Sequence, residues 1–259
     1  MHRMKLISLN VWGGRVYTEL VKFLEREKSN TDIFCFQEVL DYGRGEPGPD
    51  AKEAKARHQP KEFQEKSDLY KKLTEILSDF NPFLSEPYSS GMERLAVFVR
   101  KGISVSEETL QVHKPFQVDV NGKPYYVACL LQHVHVEIGD KSYDVANVHG
   151  LWQGGSKSDT PERLDQSREI VRLLSGFSSP KILCGDFNLS PNTQSIRIIE
   201  GVMGNLIREK GITNTRSPLY TKPLRYADYV FTSTNINVIK FEVMQNVVSD
   251  HLPLLLEFD

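Results

Sequence analysis

Four apolar runs in this chain end in a residue that a buried run should not contain. ISL leads into Asn10, FCFQ into Glu38, VANV into His149 and ILCG into Asp186. A carboxylate or amide at the buried end of a strand costs several kcal/mol unless it is paired or bound to a metal. Four such ends need one explanation, and convergence on a common site supplies it. Rigid strands that deliver side chains to one crevice are a frequent way of building such a site.

The patterning between these points is that of alternating strands and covering helices. Residues 4–11 read as a strand, 18–28 as a helix through Leu20, Val21, Phe23 and Leu24, and 32–37 as a second strand. Residues 41–61 turn to Gly, Pro, Lys, Glu and Arg, the composition of an exposed or mobile loop. Helical period returns over 62–80 through Phe63, Leu69, Leu73, Ile76 and Leu77. From 95 to 149 the text is rich in β-formers, with LAVFVR, VACLLQHVHVEI and YDVANVH separated by Asn121-Gly122 and Gly139-Asp140. Those dipeptides are hairpin signals, so the strands are expected to be largely antiparallel. Thr160-Pro161 opens a helix to about residue 174. A buried strand at 181–184, a short helix near 193–200 and strands at 227–232, 237–245 and 252–258 complete the chain. The expected fold is α/β, with two mostly antiparallel sheets packed face to face and helices outside, in a single domain over 1–259.

Composition excludes several classes. With 259 residues, 39% hydrophobic and 25% charged, the chain is neither collagen-like nor disordered. Its apolar runs, such as 125–131, fall far short of the roughly 20 residues of a membrane helix. The first residues lack the apolar core of a signal peptide, so a cytoplasmic location is expected. Cys35, Cys129 and Cys184 lie in apolar surroundings and read as reduced core thiols. A formal charge of -2 argues against coating nucleic acid by bulk electrostatics. Any polyanionic substrate must therefore be held by a local site, one rich in oxygen donors that suit Mg²⁺ or Mn²⁺ better than zinc.

Six segments then fall in order along the chain: SLNVWG at 8–13, FQEV at 36–39, NVHG at 147–150, GDFNLSP at 185–191, RYADYVF at 225–231 and SDHLPL at 249–254. Together they resemble the endonuclease/exonuclease/phosphatase superfamily, the DNase I-like proteins. The resemblance implies a four-layer α/β/β/α sandwich and a divalent-metal-dependent phosphoesterase. It makes Glu38 the principal Mg²⁺ (or Mn²⁺) ligand, with Asn10 and Asp250 beside it and Asp186 a further candidate. Asp186 would orient or deprotonate the attacking water, and Asn188 would hydrogen-bond a phosphate oxygen. His251 would donate to the phosphoryl group with Asp228 fixing its tautomer. His149 matches a second histidine, which Glu93 in MERL would pair with.

Other residues have quieter readings. His133 and His135 match no motif of the family and read as the polar face of a strand. Trp12 and Trp152 flank matched segments and could stack on a base or leaving group. Arg216, Lys222 and Arg225, with Tyr220 among them, form a candidate basic loop. The expected substrate is a phosphodiester, with nucleic acid or a short oligonucleotide as the partner; a phosphomonoester of a small metabolite or lipid headgroup is the alternative. A third reading, a silent phosphate-binding module, is disfavoured because Glu38, Asp186 and His251 are all present.

Overall fold

Period-two alternation along the strands creates two faces on each sheet, and on the central strands both faces are buried. The computed structural model describes residues 3–44, 65–120 and 122–259. Strand β1 (Met4–Asn10) lies parallel to β2 (Ile33–Leu40) at the centre of the first sheet. Around them stand β3 (Phe80–Leu84), β4 (Glu93–Arg100), β11 (Val238–Val243) and β12 (Leu254–Phe258), in the order β11-β12-β1-β2-β4-β3. The second sheet contains β5 (Ser104–Val120), β6 (Lys123–Ile138), β7 (Lys141–His149), β8 (Lys181–Asp186), β9 (Gly204–Asn205) and β10 (Asp228–Thr232). Its order is β5-β6-β7-β8-β10-β9. Only β1–β2 and β7–β8 pair in parallel; the other pairings are antiparallel.

Leu6, Cys35 and Val97 join a core with Val145, Ile182, Cys184 and Val230 of the other sheet. Their sequence neighbours Ile7, Phe34, Phe36, Ala96 and Phe98 face the other way. There they pack against Leu20, Phe23 and Leu24 of α1 (Tyr17–Glu27) and Leu69 and Leu73 of α2 (Leu69–Ile76). Helix α3 (Pro161–Ser175) contributes Ile170 and Leu174 to the larger core, and α4 (Gln194–Glu200) contributes Ile196 and Ile199. Both helices are capped by threonine, Thr160 accepting from Arg163 N and Thr193 from Ile196 N. A short helix α5 (Leu206–Glu209) follows β9. This is the expected sandwich, and the three cysteines are buried and free. No helix among the described residues is long and apolar enough to cross a membrane.

Two elements depart from the expectations. The helix expected over 62–80 spans only Leu69–Ile76, because Phe80 pairs with Arg100 and packs its ring on Phe34, which makes it the start of β3. Residues 104–120 form one long strand that the sequence pattern hid: bulges at Gln111/His113 and His113/Phe116 break its alternation. Of the loop expected at 41–61, residues 45–61 lie outside the described residues, as do 62–64.

His133 and His135 differ from a solvated strand face. His133 is buried and lies flat on Phe177 at 3.8 Å. Its Nε2 and the Nδ1 of His135 both reach Asp144 Oδ1 at 2.9 Å, and Asp144 Oδ2 accepts from Ser179 N at 2.8 Å. Burial alone would raise the Asp144 pKa, but the two histidines and the Ser179 N–H hold it below its ordinary value. A depressed carboxylate contributes stability that is present above its unfolded pKa and lost as pH falls through the folded one. Asp144→Ala should cost about 2–3 kcal/mol in urea denaturation at neutral pH, because it strands buried donors. Asp144→Asn should flatten the loss of stability that the parent shows below about pH 4.

A second test concerns the β7–β8 pair. Gly185 sits at φ +138°, and a Cβ there would lie 1.9 Å from the Val148 carbonyl oxygen. Gly185→Ala should therefore lower stability by about 3 kcal/mol or more, measured as a shift of the denaturation midpoint.

Candidate active site

The inner faces of the central strands change from apolar to polar towards one end. Along β1 the inward series is Leu6, Ser8, Asn10; along β7 it is Val145, Asn147, His149; along β8 it is Ile182, Cys184, Asp186. Register therefore delivers Asn10, His149 and Asp186 to a common level. Asn10 Nδ2 donates to Asp186 Oδ2 and to Glu38 Oε1, both at 3.1 Å, which joins the two sheets. One level lower, Gln37 Nε2 donates to Asn147 Oδ1 at 2.7 Å and Asn147 Nδ2 to the Phe36 carbonyl at 3.0 Å.

Glu38 needs a special backbone to belong to this set. Gln37 faces inward, so regular alternation would send Glu38 to the α1 side. Instead the β2–β4 register slips between Phe36 and Val39, and Glu38 takes φ +56°. Left-handed backbone recurs at Trp12 (φ +52°) and Asn188 (φ +53°), which line the same cleft. Such conformations cost about 1–3 kcal/mol each in non-glycine residues and concentrate at functional sites.

Asp186 is the hub of the hydrogen bonds. Its Oδ1 accepts from Asn188 N at 2.8 Å, and His251 Nε2 stands 3.4 Å and His149 Nε2 3.8 Å from its Oδ2. Burial would push the Asp186 pKa up, but His251, Lys157, Arg216 and His149 together hold it below the usual carboxylate range. His251 Nδ1 lies 2.7 Å from Asp228 Oδ1, and Thr215 Oγ1 donates to Asp228 Oδ2 at 2.8 Å. Burial and Arg216 oppose protonation of His251, yet Asp228, Asp250 and Asp186 raise its pKa. Asp250 is raised by burial and by Glu38 and Asp186, against His251 and Arg216.

That mutual opposition of carboxylates is what a cation would relieve. Asp186, Asp228 and His251 bring ligand atoms within 4.8 Å of one another. The Asp228–His251 hydrogen bond already occupies part of that group. Glu38, Asp186 and Asp250, with the Asn10 amide, are the better donor set for a hard ion such as Mg²⁺ or Mn²⁺. The residues present fit a divalent cation.

The structure also places Tyr88 and Lys157, which the sequence did not single out, and puts Tyr125 and Ser89 on Glu93, the expected partner of His149. Tyr88 stacks on the His149 ring at 4.8 Å, and its hydroxyl accepts from Glu38 N at 3.1 Å. Glu93 takes a hydrogen bond from Tyr125 Oη at 3.1 Å and another from Ser89 Oγ, on the wall of the cleft. Lys157, from a segment that reads as a Gly-Ser loop, is buried, with Nζ 3.5 Å from Asn188 Oδ1. Burial, with Arg216 also repelling, pulls its pKa down to about 8. The basic loop resolves into separate parts: Arg216 is buried in the site, Lys222 lines the cleft, and Arg225 donates to the Ser217 and Tyr220 carbonyls. Trp12 and Trp152 both line the cleft, with Trp152 edge-on to Tyr125.

The profile of the Endonuclease/Exonuclease/phosphatase family matches residues 7–251. The chain belongs to this family. No curated protein matches it. Among solved structures it is similar to a mannosyl-6-phosphatase of Bacteroides thetaiotaomicron, with 16% identity, TM-score 0.69 and 99% of each chain covered. It is also similar to the human nocturnin catalytic domain with bound sulfate, at 18% identity and TM-score 0.65, covering 99% of this chain and 94% of that one. A humanised D. rerio TDP2 has 12% identity, TM-score 0.63 and 99% coverage of both chains. At these identities the structures establish the DNase I-like fold. Family membership supports a phosphoric ester hydrolase.

Asp228 offers a direct test of the relay. Asp228→Asn should keep the fold and lower kcat by about 10³-fold, within the range of lost general acid–base assistance. Circular dichroism and steady-state kinetics on a phosphate ester measure both.

Proposed function

We propose that the protein hydrolyses a phosphate ester with a divalent cation, Mg²⁺ or Mn²⁺, held by Glu38, Asp250, Asp186 and Asn10. The observation that carries this reading is the position of Asp186, which accepts from Asn10 Nδ2 and Asn188 N and stands 3.8 Å from His149 Nε2 and 3.4 Å from His251 Nε2. When bound, the cation neutralises charge that builds on the phosphoryl oxygens.

The chain's own residues supply the rest. Asp186, hydrogen-bonded to Asn10 Nδ2 and Asn188 N, orients or deprotonates the water for in-line attack. His251, tied to Asp228 through Nδ1, would direct Nε2 to the phosphoryl oxygens, and Asn188, whose Nδ2 donates to the Gly150 carbonyl at 3.2 Å, would offer its second amide proton. Tyr88 fixes the His149 ring by stacking. Glu93 holds Tyr125 and Ser89 on the wall against which the leaving group lies. A bond forms between the water oxygen and phosphorus, and the ester P–O bond breaks. The water loses one proton, the leaving alcohol gains one, and one water is consumed.

A phosphodiester, including one at the end of a short oligonucleotide, and a phosphomonoester share this chemistry. The free buried thiols suit the reducing cytoplasm expected from the sequence.

The test is a panel in Mg²⁺ and in Mn²⁺: bis-p-nitrophenyl phosphate, p-nitrophenyl phosphate, single- and double-stranded DNA, RNA, and a 5′-phosphotyrosyl oligonucleotide. Turnover of at least one substrate, abolished by EDTA and by Asp186→Ala or His251→Ala with the fold intact, is the expected result. Near-parental activity in either variant would sink the residue assignment. No turnover on any substrate would instead favour a phosphate-binding module.

A further inference from the structure

Three buried groups around the cleft keep spare hydrogen-bonding capacity, although Arg216 also pairs with Asp250 and stacks on Tyr220. Lys157 is 7% exposed, and its ammonium, which has three donors, finds one acceptor at 3.5 Å. Arg216 is 4% exposed; its Nη1 donates to Asp250 Oδ2 at 3.0 Å and abuts His251 Nε2, while its Nε has no hydrogen-bond partner. His149 Nε2 is likewise buried without one, the nearest carboxylate oxygen being Glu38 Oε1 at 3.6 Å.

These groups also repel one another. Arg216 is near enough to Lys157 to oppose its charge, and it touches the ring of His251. A cation buried without a full set of partners costs several kcal/mol. Two of them facing one cavity, with spare donors, describe a site built for an anion that the protein does not supply. Asp186 offsets part of the charge, lying 3.7 Å from Arg216 Nη2, but its oxygens are already shared among Asn10 and Asn188.

We infer that Lys157 and Arg216 form an oxyanion clamp that selects a terminal phosphate, so that the preferred substrates are phosphomonoesters. The inference rests on the phosphoester reading above. A monoester presents three non-bridging oxygens and up to two negative charges; a diester presents two oxygens and one charge. The clamp adds two cations and their N–H groups to the donors already present at His149, Asn188 and His251. The third oxygen and the second charge of a monoester are what these additional donors match. Tyr88, Tyr125 and Trp152 line the same cleft, an aromatic wall for one leaving group. Lys157 is delivered by the 151–158 loop, which wraps around the guanidinium of Arg163. That side chain donates to the Leu151, Ser156 and Ser158 carbonyls. Arg163 is therefore a positioning residue for Lys157.

The experiment compares the full-length parent with Lys157→Met and Lys157→Arg. Steady-state kinetics in Mg²⁺ use p-nitrophenyl phosphate and bis-p-nitrophenyl phosphate. Calorimetry measures binding of inorganic phosphate, with Mg²⁺ and again in EDTA, and circular dichroism checks the fold. The parent is expected to favour the monoester in kcat/KM. Lys157→Met should lose about 100-fold on the monoester, as for removal of one oxyanion donor, and under about tenfold on the diester. Its phosphate affinity should fall by at least about tenfold, with partial recovery in Lys157→Arg. A parent that favours the diester, equal losses on the two esters, or unchanged phosphate binding in Lys157→Met each overturn the clamp. If the parent turns over neither ester nor any other substrate of the panel above, the hydrolase reading fails on its own; phosphate binding lost in Lys157→Met would still uphold the clamp, and binding unaffected by it would not.

Discussion

The amide pair between Gln37 and Asn147 is the contact on which the rest of the molecule depends. It crosses the apolar core from one sheet to the other, directly beneath the polar residues of the cleft, and both side chains are fully buried. An apolar face alone tolerates sliding, since one branched side chain packs much like another. A buried amide does not, because a shifted neighbour leaves its donors and acceptors unpaired. The pair thus fixes how β2 and β7 face each other. Asn10, Glu38, His149 and Asp186 meet only because that alignment holds.

Much of this was legible in the residues. The interrupted runs ending in Asn10, His149 and Asp186 marked the strand ends that converge, and the six ordered segments identified the family. Hairpin dipeptides and apolar alternation captured the two-sheet sandwich. Other features were hidden for physical reasons. The interrupted run marks Glu38 but not how it reaches the site: regular alternation points it away, and only a bulge with positive φ brings it back. Lys157 lies in a Gly-Ser segment with the composition of a solvated loop, and its burial follows from the distant hub at Arg163. Tyr88 and Tyr125 reach the cleft through tertiary packing alone. His133 and His135 carried the signature of an outer strand face, which the covering ring of Phe177 and the carboxylate of Asp144 convert into an interior one.

The site also shows why a net charge near zero says little about a phosphoesterase. Acidic groups gather on the Glu38, Asp186 and Asp250 side, and basic groups on the Lys157 and Arg216 side. Each half shifts the other's ionisation: the cations keep Asp186 charged, while the carboxylates raise the pKa values of His251 and Arg216. The two fields cancel at a distance and oppose each other across a few ångströms, where a metal and a phosphate can each find the sign that suits it.

Arg163 belongs to the first turn of α3, yet its guanidinium is the spindle on which the neighbouring loop is wound. Loop and helix are consequently a single mechanical part. The gap between Lys157 and Asn188 is set by the seating of α3 through Ile170 and Leu174, well away from phosphorus. Sequence drift in that distant helix is thus a route by which relatives sharing the same catalytic groups could widen or narrow the mouth of the cleft, retuning which molecules enter while the chemistry stays unchanged.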